Sequence, residues 1–145
     1  MDRGLAVLLT AIAGGLIALQ APINAELGKA TGGLAAALVS FLVGTIALTA
    51  IVVLSGKAGG LGSAFEVNWY YLVGGLLGAL YVTNALLAVS VIGAGGVAAL
   101  TVAGQLTASV VIDRLGLFGL DQVALSPERL AGVALLLVGT VLVVR

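Results

Sequence analysis

From Gly4 to Ala25 the chain carries no charged side chain, and residues 30–56, 67–112 and 130–144 repeat the pattern. A helix needs about 20 predominantly apolar residues to cross the roughly 30 Å hydrocarbon core of a bilayer. These runs are long enough to do so, and a helix satisfies its own backbone in lipid. Only 8% of the residues are charged, about a third of the roughly 25% usual for soluble proteins. A mean hydropathy of +1.28 agrees. The expected fold is an all-α integral membrane protein. The amino-terminal run is too long for a signal peptide, and further spans follow it.

Five transmembrane helices are expected in one membrane domain covering 1–145. The spans fall at about 4–24, 34–54, 69–92, 95–116 and 129–144. Thr31-Gly32-Gly33 reads as a turn, Ser55 to Ser63 as a flexible glycine-rich connector, and Gly93 to Gly96 as a very short turn. Trp69, Tyr70 and Tyr71 form an aromatic belt at the membrane interface. Ser126 suits an N-cap, with Pro127 at the first helical position. Five spans put the termini on opposite sides. Arg3, Lys57, Arg114 and Arg129 lie on the amino-terminal side against Lys29 and Arg145 on the other, a small bias toward a cytoplasmic amino terminus.

Composition excludes several classes of function. There is no cysteine and no histidine, which removes disulfides, thiol chemistry, imidazole catalysis and most transition-metal sites. Neither a cofactor nor a metal is expected. Zero net charge argues against a nucleic-acid partner. No nucleophile–base pair or paired catalytic carboxylates appear, so the chain does not read as an enzyme.

The informative polar groups are few. Gln20 and Asn24 are four apart and share a helix face. Pro22 between them cannot donate to the carbonyl of Ala18, so a kink is expected there. The carbonyl it frees must find protein or water. Tyr81 and Asn84 lie in the third span and Gln105 in the fourth. By helical rise these groups reach a similar depth, between the midplane and the carboxyl-terminal side, which suggests a shared substrate pathway. Interhelical clamping is the alternative for Gln105. Thr101, Gln105, Ser109 and Asp113 make one polar face. Asp113 is a candidate coupling carboxylate, although Arg114 beside it favours an interfacial, snorkelling role. Ser40, Thr45, Thr49, Thr101 and Thr107 are expected to return their hydroxyls to the backbone. Gly14, Gly15, Gly44, Gly74, Gly78 and Gly104 are assigned to helix packing.

The segments Gln20-Ala-Pro-Ile-Asn24-Ala-Glu26-Leu-Gly28, Ser40-Phe41-Leu-Val-Gly44-Thr45 and Gly74-Gly75-Leu-Leu-Gly78-Ala-Leu-Tyr81-Val occur in order along the chain. Gly104-Gln105, Asp113-Arg-Leu-Gly116-Leu-Phe-Gly119 and Arg129-Leu-Ala-Gly132 follow them. Together they resemble the YdcZ-like family of inner-membrane exporters within the drug/metabolite transporter superfamily. The resemblance covers nearly the whole chain. It implies a five-helix unit that is one half of an inverted-repeat fold, resident in a bacterial inner (plasma) membrane. A complete transporter then needs a second copy or a paralogous subunit in inverted orientation. Small multidrug transporters of the superfamily carry a glutamate midway in their first helix. This chain has Ala13-Gly14-Gly15-Leu16 there, which puts their proton-exchange mechanism in doubt.

The expected function is a subunit of a secondary transporter or exporter of small solutes, working by alternating access as an antiparallel dimer. The neutral pathway groups suit a neutral, amphipathic or zwitterionic solute. A membrane assembly or accessory protein without transport activity is the alternative.

Overall fold

The computed structural model describes residues 2–145 and contains helices and turns. The first helix, α1 (Arg3–Thr31), is capped by Asp2, whose carboxylate accepts the Leu5 N–H at 2.9 Å. It stays helical through Pro22 and continues past Asn24 to Thr31. Glu26 and Lys29 are therefore on the helix, one turn apart, and form an exposed ion pair. The expected turn at 31–33 narrows to Gly32, at φ 84, a conformation costly for any residue with a Cβ. Helix α2 (Gly33–Leu54) begins immediately after it. A Cβ on Gly33 would lie 2.8 Å from Leu87 Cδ2 and 3.3 Å from Leu86 Cδ1. One glycine makes the turn and the next permits the close approach.

The connector after α2 is not featureless: Ala58–Phe65 and Trp69–Leu72 form 3-10 turns. The long helix α3 (Val73–Leu115) contains the third and fourth expected spans. At 1.5 Å per residue it is about twice as long as the hydrocarbon core is thick. Gly93, with φ 73 and ψ 165, breaks its helical course. Of the expected four-residue turn, only this residue is non-helical. Helix α4 (Pro127–Val144) opens as expected, with Ser126 Oγ accepting from Arg129 N and Pro127 in the first turn. Four helices are long and apolar enough to cross a membrane. Division of α3 at Gly93 gives five helical segments.

The chain forms two compact units, which meet in sequence between Ser90 and Val91. The first has a small apolar core of Ala36, Ala37, Val82 and Leu86, against which Leu27, Phe41 and Tyr81 pack. The α1 stripe facing inward is Ala21, Asn24 and Gly28. A Cβ on Gly28 would meet Ala36 Cβ at 3.8 Å and Leu86 Cδ1 at 3.9 Å. Small side chains thus bring helices close, as membrane helix packing requires. That core occupies only one end of the helices. Residues 7–20 of α1 and 42–51 of α2 are exposed throughout, an apolar surface that suits lipid and not water.

In the second unit, residues 94–115 and α4 run antiparallel. Asp113 pairs with Arg129, while Thr140 Oγ1 donates to Leu136 O at 2.8 Å and lies 3.3 Å from Ala99 O. Near the far end of α4, a Cβ on Gly95 would sit 3.8 Å from Val143 Cγ1.

Candidate functional site

The polar groups of the first unit fall into four settings. Gln20 is exposed and reaches a groove between α1 and α2 of about 200 Å³. Ser40, Phe41, Gly44, Thr45 and Leu48 supply the other wall. These residues lie on one α2 stripe because 40, 44 and 48 are spaced by four and 41 and 45 flank them. Asn24, one turn beyond Gln20, turns inward instead. It is 5% exposed, and its Nδ2 has no acceptor. A buried amide donor without a partner costs about 1–3 kcal/mol, and such a group in a native protein calls for an explanation.

Tyr81 is half-buried against the core, with Val82 and Leu86 beside it. Asn84 is exposed on another side of the same segment. The two therefore do not share a setting, because the inward stripe runs Val82, Ala85, Leu86 and leaves position 84 outside it. Phe41 is the residue that sequence reasoning passed over. It packs on the apolar core and also lines the Gln20 groove. Its signal was an aromatic side chain four residues before Thr45 on an otherwise aliphatic helix.

Gly78 lies under this ring, its Cβ position 3.5 Å from Phe41 Cζ. At Gly14, Gly15, Gly44, Gly74 and Gly104 an added Cβ would meet nothing within 4 Å. Gly44 opens onto the Gln20 groove, and the other four are free to face lipid or another subunit.

In the second unit Gln105 is exposed. On the expected polar face Ser109 and Asp113 are already bonded, and so is Thr107 nearby. Ser109 Oγ donates to Leu106 O at 3.0 Å, and Thr107 returns its hydroxyl to Ala103 O at 2.8 Å. Asp113 Oδ2 accepts from Arg129 Nη2 at 2.6 Å, and its backbone carbonyl accepts from Val123 N at 3.0 Å. The candidate coupling carboxylate is thus held by Arg129, sixteen residues later, and secures the loop before α4. Arg129 Nη1 is buried without a partner. Among the described residues no three acids gather as a metal-binding cluster.

The family described as "Putative inner membrane exporter, YdcZ" matches residues 5–142. This chain belongs to that family. The match spans both units and every helix, and with the apolar helices it makes the chain a multi-pass inner-membrane protein. No curated protein and no solved structure is a significant match. Family membership gives the class, a membrane exporter. The geometry of the first unit bears on how a member of the family handles its solute.

Proposed function

We propose that the chain is one subunit of a secondary transporter that exports a small uncharged or zwitterionic solute across a bacterial inner membrane. It is a carrier and not an enzyme, and it uses no cofactor. The observation that carries this reading is the unpartnered Nδ2 of buried Asn24, one turn from the Gln20 groove. A structural amide would have found an acceptor within its own unit. An amide kept free is available to a solute or to the water that precedes it. Tyr81, Asn84 and Gln105 are further pathway candidates. Pro22 supports the same reading, since it leaves the Ala18 carbonyl without its helical donor.

The working assembly is an antiparallel dimer cycling by alternating access. The open apolar stretch of α1 at 7–20, with Gly14 and Gly15 unobstructed, suits close approach by a second five-helix subunit. Two measurements test the proposal. Single-cysteine labelling at one terminus of the natively inserted protein is expected from both membrane faces in comparable amounts. A thermal-shift screen of neutral solutes, followed by liposome flux, is expected to return a transported compound. One-sided labelling would remove the antiparallel homodimer and leave a paralogous partner or a parallel assembly. Absence of flux from a protein that pairs normally would favour the accessory role.

A further inference from the structure

We propose that the α1–α2 groove of the first unit is a hydrogen-bonding subsite for an uncharged solute, with Gln20, Ser40 and Thr45 as its polar contacts and Phe41 as its apolar floor. The assignment deepens the export reading and depends on it only for what becomes of the solute once bound. Ordinary helix chemistry would return the two hydroxyls to the backbone. Here they share one small space with an amide. Each hydroxyl can donate and accept, and the amide adds two donors and an acceptor oxygen. Gly44 lies between them without a side chain and keeps the space open.

The floor is fixed. Phe41 is held on one side by Gly78 and the apolar core, so its ring presents a constant surface to the groove. All six lining residues are uncharged. An ion stripped of water finds no opposite charge there, and burying a charge unpaired is costly. A ring or short apolar group carrying an amide, carbonyl or hydroxyl meets both kinds of contact. At about 200 Å³ the groove is smaller than the roughly 300–1,000 Å³ of complete ligand pockets. It therefore takes one ring-sized portion of a solute.

The test uses the natural absence of cysteine. Ser40→Cys and Thr45→Cys each give the chain one thiol. In proteoliposomes a water-soluble methanethiosulfonate reacts with the thiolate, which requires water. Val43→Cys and Ile46→Cys, on exposed apolar positions of the same helix, serve as lipid-facing controls. Labelling at positions 40 and 45 is expected at least about tenfold faster than at 43 and 46, since a thiol in lipid stays protonated. Millimolar benzamide, a neutral aromatic amide, is expected to slow labelling at 45. Benzyltrimethylammonium, with the same ring and a fixed charge, is expected not to. Adding Gln20→Leu to Thr45→Cys should cut the protection. Equal rates at all four positions would mean that the groove is no more hydrated than the opposite side of the helix and would overturn the subsite. Absence of benzamide protection, or protection by the cation alone, would overturn the assigned solute class. Labelling needs no turnover. A protected groove in a protein that moves no solute would refute export and leave the subsite standing, whereas flux with an unprotected groove would do the reverse.

Discussion

The two units of this chain hold their helices together by different means. In the first, which ends at Ser90, an apolar core of Ala36, Ala37, Val82 and Leu86 does the work. Its side-chain hydrogen bonds are local, such as Thr31 to Leu27 O, Ser55 to Val52 O and Ser90 to Leu87 O. In the second, polar groups join one helix to another. Arg129 reaches Asp113 across sixteen residues, and Thr140 reaches Ala99 O across 41. The difference teaches where free polarity remains. The second unit uses the Asp113 carboxylate and the Thr140 hydroxyl as ties. The first is held by packing, which leaves the amides of Gln20 and Asn24 without structural duty.

The largest effect on export is expected at Asn24. Asn24→Leu removes a buried donor that has no partner, so the melting temperature in detergent should hold or rise. Loss of one solute hydrogen bond worth about 1.4 kcal/mol should lower export flux about tenfold. A clear fall in melting temperature with flux per folded protein unchanged would make Asn24 a clamp and erase the contrast between the units.

The largest effect on stability is expected from Leu86→Ala. Leu86 is 3% exposed, and such truncations cost about 2–5 kcal/mol. Leu77→Ala, at a side chain 61% exposed, should stay within about 0.5 kcal/mol. Chemical unfolding in mixed micelles would measure both. Equal effects would mean that the first unit does not depend on this core.

The polar ties should weigh less. The Asp113 and Arg129 side chains are 28% and 34% exposed. Asp113→Asn should therefore cost about 1–2 kcal/mol, between exposed and buried pairs. Flux per folded protein should change little. Complete loss of flux with normal folding would turn Asp113 into a coupling site and move the functional chemistry to the second unit. Thr140→Val should be the mildest, about 0.6 kcal/mol, the average for hydrogen bonds between membrane helices. A loss as large as that of Leu86→Ala would show that both units rely on polar ties.

Much of the architecture is legible in the residues alone. Four charge-free runs fix the helices, because hydropathy and helix length answer to the same bilayer thickness. Ser126-Pro127 marks the start of α4, since capping depends on a few neighbouring atoms. The end of α1 is harder to read. Proline and two polar residues suggest a stop near Asn24, but Pro22 costs only local bonds and the helix continues to Thr31. Candidate polar residues are legible as residue types; their settings are not.

The sequence by itself determined that the chain is helical, membrane-embedded, nearly free of charge and built around a handful of amides. Each of these follows from side-chain chemistry summed along a segment. Only the tertiary structure decided that Gln20 opens onto Ser40 and Thr45 while Asn24, one turn away, is buried. Likewise it gave Asp113 to Arg129 and not to its neighbour Arg114. Residues four apart on one helix share a face, but which part of that face meets protein depends on the helix crossing. Small residues such as Gly28, Gly33 and Ala36 set that crossing, since a Cβ added at Gly28 or Gly33 would lie 2.8 to 3.9 Å from atoms of the facing helices, groups that lie far apart along the chain.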